Sequence, residues 1–254
     1  MLSIAPLLIL TVEVVLGQIY PFDMAKHSVD DQYEGCRKEM SDLVFTSFLK
    51  KEINENSTYK AAWEEGKRNA KTPADNLNMN HSIAIYVYTS RKVYEDFNYA
   101  TRYDKQKYNS STYKWYSLQF LLTEAIQILN ETQKKCYLTY RGTDVEFNVL
   151  SKEVRFGSFT SSSLNRSEAR YFGDKSCFEI ETCEGADVAK YSVYPYEEEV
   201  LIPPYEKFIV TAVKNNSWCK TVYELKSSGT ESNLNCAVAS VKQTHHRFIS
   251  HNWS

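Results

Sequence analysis

The chain has 254 residues, and its 30 basic and 32 acidic side chains leave a formal net charge of −2. This length is enough for one large domain with a sizeable core, and the near-neutral balance argues against nucleic-acid binding, for which a basic excess is typical. Hydrophobic residues make up 43% of the chain and charged residues 24%, as in ordinary globular proteins.

The first predicted element is a targeting segment. Residues 7–16 are almost wholly apolar but too few to span a bilayer, and Val15 and Gly17 suit a cleavage site. This pattern predicts a signal peptide of residues 1–17, which leaves a single domain of residues 18–254. Because Glu13 interrupts the run and no Lys or Arg precedes it, a buried N-terminal helix is the alternative interpretation.

Apolar residues recur at steps of three and four between about residues 30 and 132, which predicts a helical lobe. The clearest helical segments are Cys36–Asn54, Tyr59–Ala70 and Leu118–Leu129, of which the last is apolar nearly all round. The run 83–88 is equally compatible with a strand and with a buried helix.

After Lys135, short runs rich in β-branched and aromatic residues follow one another between turn residues. The sequence therefore predicts an α+β fold, in which the helical N-terminal lobe packs on a β-sandwich of about residues 135–250. One helical turn is predicted at Ser167–Phe172. The predicted strands are Tyr137–Tyr140, Val154–Thr160, Cys177–Thr182, Ala189–Tyr194, Glu199–Ile202, Tyr205–Val213 and Lys220–Leu225.

The cysteines and glycosylation sequons indicate an extracellular protein. Six cysteines follow Gly17, an even number that allows 15 pairings, and their spacing is not that of a zinc site. His245 and His246 predict a solvated tail rather than a metal site, and residues 245–254 lack the apolar segment of a lipid anchor. We therefore expect a secreted monomer without a membrane anchor or a metal. The sequons begin at Asn56, Asn80, Asn109, Asn130, Asn165, Asn215 and Asn252.

Three segments of the predicted β region carry candidate site residues. Arg141 is followed at once by Gly142, which sets a permanent cation beside a backbone that a ligand can approach closely. The segment Phe156–Leu164 combines two aromatic residues with four consecutive hydroxyl side chains. Taken alone, a solvated strand-end arginine and a polar strand edge are the favoured interpretations of these two segments.

The third segment is acidic. If residues 197–199 lie on one strand, Glu197 and Glu199 point the same way, roughly 7 Å apart over two strand rises. Like charges on one strand face repel each other unless a cation compensates them. The pair therefore indicates a positively charged ligand.

In this order, Arg141, a serine about twenty residues later and the Glu-x-Glu pair resemble the signature of the vertebrate arginine-specific ecto-ADP-ribosyltransferases. The segment Tyr113–Ala125 resembles the helix signature of that family, and Arg155–Gly157 and Glu199–Pro203 resemble two further blocks. The resemblance covers nearly the whole chain after residue 17. It implies the family's fold, an ADP-ribosyltransferase-type β-sandwich that binds NAD.

The resemblance also implies a role for each matching residue. Arg141 would bind the phosphate and ribose of NAD, and Gly142 would hold the nicotinamide amide through its backbone. Ser161 would brace the nicotinamide ribose and the catalytic Glu199, which accepts a hydrogen bond from the ribose 2′-hydroxyl. Glu197 would orient the acceptor arginine and draw off its proton.

Four more residues are implied as NAD contacts, namely Tyr88, Ser158, Phe159 and Tyr194. Ser158 stands where relatives often carry Gln, and Tyr194 stands where some carry Arg or Ser. Either Phe156 or Phe159 is expected to stack on nicotinamide.

For the cysteines, the resemblance implies the disulfides Cys36–Cys236 and Cys136–Cys183. Cys177 and Cys219 are left over, and a third bridge between them is a further hypothesis.

The function implied is transfer of ADP-ribose from NAD to arginine side chains of acceptor proteins, with release of nicotinamide. NAD would be a co-substrate, with no permanently bound cofactor. A secreted NAD glycohydrolase that uses water at the same site is one alternative, and a catalytically silent binding protein on the same scaffold is another. The presence of Glu197 favours transfer over hydrolysis.

Overall fold

A computed structural model describes residues 19–239 of the chain. The predicted signal peptide and the segment 245–254, which includes His245, His246 and the sequon at Asn252, lie outside the described residues. Within residues 19–239, no helix combines the length and the apolar character that crossing a bilayer requires.

The N-terminal lobe is helical, as the apolar periodicity predicts. A short strand β1 (Ile19–Phe22) precedes it, and a π-helical turn (Val44–Phe48) joins its first two helices. The helices are α1 (Arg37–Leu43), α2 (Leu49–Glu55), α3 (Ser57–Asn69), α4 (Met79–Thr89), α5 (Tyr94–Tyr103), α6 (Lys105–Asn109) and α7 (Tyr116–Gln133).

The ambiguous run 83–88 lies in helix α4. Asn78 caps this helix by accepting a hydrogen bond from the backbone of His81, whose ring accepts one from the Asn78 backbone in return. This reciprocal cap satisfies two donors that would otherwise lack partners at the helix start. Most of the helix is buried, and it packs against α3 and α7. Because it has no extended polar face, its sequence lacks the alternation of polar and apolar residues every 3.6 positions that identifies an exposed helix.

The β region forms two sheets. Strands β1 and β3 (Glu146–Val149) pair in parallel. The strands of the large mixed sheet are β2 (Tyr137–Thr143), β4 (Glu153–Val154), β5 (Thr160–Ser163), β6 (Ser176–Thr182), β7 (Ala186–Asp187), β8 (Glu199–Ile202), β9 (Glu206–Asn215) and β10 (Thr221–Thr230). Their order in the sheet is β4-β9-β10-β6-β2-β5-β8-β7. The predicted helical turn is helix α8 (Arg166–Arg170).

Aromatic side chains hold the two sheets together. Phe22 and Phe147 from the small sheet contact Phe178 of β6, with ring centroids 5.4 and 5.5 Å apart. Phe156 and Phe208 complete this core, while a second and larger core lies among the helices. The α+β architecture of a helical lobe on a β-sandwich is therefore confirmed.

Two predicted strands are wrong. In the segment Val154–Thr160, only the two end residues belong to strands. The backbone leaves the sheet at Gly157, where φ is 71°. The side chain of Arg155 is buried and forms hydrogen bonds to other segments of the chain. Residues 189–194 form a turn, in which the Tyr191 amide donates to the Val188 carbonyl. The Tyr191 hydroxyl donates to Asp75, which ties this turn to the helical lobe.

Three disulfides cross-link the described chain, and they are the three pairs expected above. Cys36–Cys236 joins the start of α1 to the segment after β10. Cys136–Cys183 joins the start of β2 to the end of β6, and Cys177–Cys219 ties β6 to the loop before β10. Each closes a loop of more than forty residues, for which the chain-entropy model gives a stabilisation of about 4–5 kcal/mol.

Candidate active site

A cleft of about 340 Å³ opens where the ends of α4 and α5 face strands β2, β5 and β8 of the large sheet. Both lobes contribute to its walls, and so does the turn after α8. Its lining residues are Tyr88, Thr89, Arg91, Tyr94, Glu95, Tyr140, Arg141, Gly142, Thr143, Ser161, Ser162, Ser163, Ala169, Phe172, Glu197 and Glu199.

The Arg141 guanidinium is held in place by both lobes. Its Nη1 donates to the Ser161 carbonyl at 2.6 Å, and its Nη2 lies 3.5 Å from the hydroxyl of Tyr94. A cation fixed on two sides is preorganised, so little side-chain entropy is lost when an anion binds to it.

Gly142 has a packing reason to be glycine. A Cβ at this position would clash with the carbonyl oxygens of Ala169 and Gly173. The turn after α8 can therefore close over β2 only because residue 142 lacks a side chain.

Glu199 opens strand β8, and its carboxyl group is buried in the cleft wall. Burial raises its pKa to about 7, while a hydrogen bond from the Ser161 side chain opposes that rise. The Ser192 hydroxyl lies 3.4 Å from Oε2 of the same carboxylate. Ser161 and Glu199 meet because β5 and β8 pair antiparallel, with Ser163 opposite Glu199 and Ser161 two residues along on the same face.

Glu197 does not share a strand with Glu199, which corrects the expectation from the sequence. It ends a 3-10 turn (Pro195–Glu197), and Glu198 follows in a left-handed conformation with φ of 46°. The strand begins only at Glu199, so the argument from strand alternation fails. The turn nevertheless places both carboxyl groups in the cleft wall, and the charge of Glu197 contributes to the raised pKa of Glu199.

The expected NAD contacts divide into two groups. Tyr88 lines the cleft together with Arg141 and Gly142, and its hydroxyl donates to the Phe159 carbonyl. Ser158, Phe159 and Tyr194 do not line it. Phe159 is 1% exposed and stacks on Phe97 in the helical core, with ring centroids 5.5 Å apart. In this structure it is therefore not free to stack on a ligand.

Phe156, the alternative stacking residue, packs between the two sheets. Tyr194 lies beside the cleft, where its ring contacts the guanidinium of Arg91.

The sequence interpretation missed the contribution of the helical lobe to the cleft. Arg91, Tyr94 and Glu95 lie at the junction of α4 and α5, and Phe172 comes from the turn after α8. None of these residues belongs to a recognisable sequence motif. In the sequence analysis, Tyr88 was the only residue near the α4–α5 junction that was expected to contact NAD.

Among residues 19–239, no cluster of three or more His, Cys, Asp or Glu side chains is arranged to hold a metal ion. The charged and titratable groups that the cleft offers for chemistry include the fixed Arg141 cation, the buried carboxyl group of Glu199 and the carboxylate of Glu197.

Solved structures share this architecture. The crystal structure of the eucaryotic mono-ADP-ribosyltransferase ART2.2 superposes with a TM-score of 0.74 at 33% identity, covering 85% of this chain and 98% of that one. Mutants of ART2.2 have been solved in complex with NADH and with NAD. The fold is that of the mono-ADP-ribosyltransferase class.

The family is defined by the sequence comparisons. The model of the family NAD:arginine ADP-ribosyltransferase matches residues 22–233. The chicken erythroblast NAD(P)(+)--arginine ADP-ribosyltransferase is 36% identical over 241 residues, which cover 89% of this chain and 78% of the relative. The mouse T-cell ecto-ADP-ribosyltransferase 2 is 34% identical, with coverage of 91% and 82%. The chain belongs to the NAD:arginine ADP-ribosyltransferase family, and NAD is its co-substrate.

Proposed function

We propose that the cleft transfers ADP-ribose from NAD to arginine side chains of acceptor proteins and releases nicotinamide. The observation that carries this proposal is the convergence of Arg141, Ser161 and Glu199 in one cleft, with Glu197 at its wall. In the reaction, the bond between C1′ of the ribose and the nicotinamide nitrogen breaks, and a bond between C1′ and an arginine nitrogen forms. The arginine proton leaves through a base to water.

Glu199 is the group that we assign to the bond-breaking step. As nicotinamide leaves, the ribose acquires the character of an oxocarbenium ion, which a nearby carboxylate stabilises, as in glycosidases. Because Glu199 is held by Ser161 in a buried position, it needs little reorganisation to meet that charge. Arg141 supplies the complementary cation for the phosphates of NAD.

Glu197 is the group that we assign to the acceptor. An arginine guanidinium is protonated in water and is therefore a poor nucleophile. A carboxylate beside it can accept its N–H bonds and draw off a proton as the new bond forms. Glu197 can serve this role because its side chain is 15% exposed, so it can be reached from solvent.

Replacing Glu197 by Gln should separate transfer from hydrolysis. We expect the formation of ADP-ribosylated agmatine, a small guanidine, to fall by about 100-fold, because the loss of a general base commonly costs 10²–10⁴ in rate. Nicotinamide release with water as the acceptor should persist. The measurement is chromatographic separation of ADP-ribosyl-agmatine from free ADP-ribose.

Glu198→Gln is the matched control for this experiment, since it removes the neighbouring carboxylate, which is exposed. Parallel losses of transfer and hydrolysis in Glu197→Gln would contradict the division of roles. If the wild-type chain forms only free ADP-ribose, the protein is an NAD glycohydrolase. If it releases no nicotinamide at all, it is a silent binding protein.

The raised pKa of Glu199 predicts a pH dependence. The folded-state pKa of about 7 lies above the ordinary value of 4.5, so the carboxylate form is lost as the pH falls through 7. We expect kcat/KM for nicotinamide release to drop about tenfold per pH unit below 7 and to level off above it. Rates between pH 5.5 and 8.5 test this, and a flat profile over that range would refute it.

We infer an extracellular location. Three disulfides in the described chain suit an oxidising compartment, and several relatives are named ecto-ADP-ribosyltransferases. Secretion as a monomer without a membrane anchor stays a prediction, which size-exclusion chromatography of medium from cells expressing the full chain would test.

A further inference from the structure

A guanidinium group already lies against Glu197, and it belongs to this chain. Nη2 of Arg91 donates to Oε1 of Glu197 at 2.6 Å. Its guanidinium carbon lies 4.7 Å from the ring centre of Tyr194 and 5.2 Å from that of Phe172. A carboxylate combined with two aromatic faces is the kind of environment that binds an arginine side chain.

The position of Arg91 is unusual for its backbone. It follows helix α4 with φ of 63°, a left-handed conformation that non-glycine residues adopt rarely and at a cost. The next residue, Lys92, pairs with Glu65 on α3, which anchors this turn to the helical lobe. From this turn the Arg91 side chain reaches Glu197, so it joins the helical lobe to the 3-10 turn before β8 along the cleft wall.

The contact between Arg91 and Glu197 is accessible to solvent. The Arg91 side chain is 49% exposed, and an ion pair with that much solvent access contributes little to stability. Another guanidinium approaching from solvent could take the same carboxylate without having to disrupt a buried core.

We propose that Arg91 competes with the acceptor arginine for Glu197. Before transfer, the guanidinium of the acceptor must displace the guanidinium of Arg91 from the Glu197 carboxylate. This inference rests on the proposed function of the cleft. The apparent affinity for an acceptor equals the affinity of the open site multiplied by the fraction of molecules in which the site is open. Because this factor is the same for every acceptor, a small free guanidine such as agmatine is enough to measure it.

The test is the KM for agmatine at saturating NAD, measured through ADP-ribosyl-agmatine formation. Arg91→Gln should lower this KM about fivefold, the fold-change expected for losing an exposed ion pair and its cation–π contacts. Arg91→Lys keeps the charge but loses the planar guanidinium group, so its KM for agmatine should lie between those of the wild type and of Arg91→Gln. Arg68→Gln removes an exposed arginine from α3, outside the residues that line the cleft, and should leave the KM unchanged.

A binding measurement covers the case in which a variant turns over poorly. In a Glu199→Gln background, titration calorimetry should show agmatine binding about fivefold more tightly when Arg91 is also replaced by Gln. An unchanged or raised KM and Kd in Arg91→Gln would overturn the inference while leaving the proposed function intact. If no variant forms ADP-ribosyl-agmatine, the proposed function fails, and the inference fails with it.

Discussion

Replacement of Glu199 by Gln is expected to lower nicotinamide release about 1000-fold. The variant keeps the size of the side chain but removes the charge that meets the ribose cation, and loss of one preorganised group of this kind costs 10²–10³ in rate. Transfer and hydrolysis should fall together, because both pass through the same breaking bond. Nicotinamide release from NAD at pH 8 is the measurement.

Stability provides the control for this variant. Burial raises the pKa of Glu199 to about 7 from 4.5, so the folded chain disfavours the ionised form of this carboxyl group. The free energy of unfolding therefore decreases as the pH rises from 4.5 through 7, because the folded chain holds a proton that the unfolded chain releases. Removing the charge should therefore leave the melting temperature at pH 8 unchanged or raise it. A stable variant that retains more than a tenth of wild-type activity would contradict the role assigned to Glu199.

The second large effect is expected at a buried ion pair that does not line the cleft. Arg155 and Asp30 are fully buried, and their Nη1 and Oδ2 atoms lie 2.8 Å apart. Arg155 also donates to the carbonyls of Met24 and Glu231. The pair thus joins the start of the described chain, the segment between β4 and β5, and the segment after β10.

Arg155→Met is expected to destabilise the fold by about 3–5 kcal/mol, because it leaves the Asp30 carboxylate buried without its cation. For a chain of this size, that should lower the melting temperature by about 10 °C. Thermal and urea unfolding with the disulfides intact are the measurements.

A double-mutant cycle with Asp30→Asn tests the cause. If the ion pair is responsible, the double variant should lose less stability than the sum of the two single variants. Additive losses, or a loss below about 1 kcal/mol for Arg155→Met, would contradict this account.

The candidate site was predictable from sequence where its residues lie in short motifs. Arg141 with Gly142, the hydroxyl run that contains Ser161, and Glu199 before an apolar strand can each be recognised locally, because neighbouring residues carry the signal. The strand pairing then brings Ser161 beside Glu199, as the assigned chemistry requires.

The structure places two other residues differently from the expectation, for a physical reason. The sequence of residues 196–202 is compatible with a strand that includes Glu197, but Glu198 adopts a left-handed turn that local propensity did not reveal. Phe159 was expected at the ligand, yet packing against Phe97 holds it in the helical core. Both outcomes depend on contacts with distant parts of the chain.

The helical and β-rich halves, the family signature and the residue types of the site could all be predicted from the amino-acid sequence, since periodicity and motifs are local properties. Three features became known from the folded chain alone: residues 83–88 are helical, the α4–α5 junction lines the cleft, and Arg91 contacts Glu197 across 106 residues of chain. These features follow from burial and from long-range contacts, in which each segment's conformation is set by partners far away in the sequence.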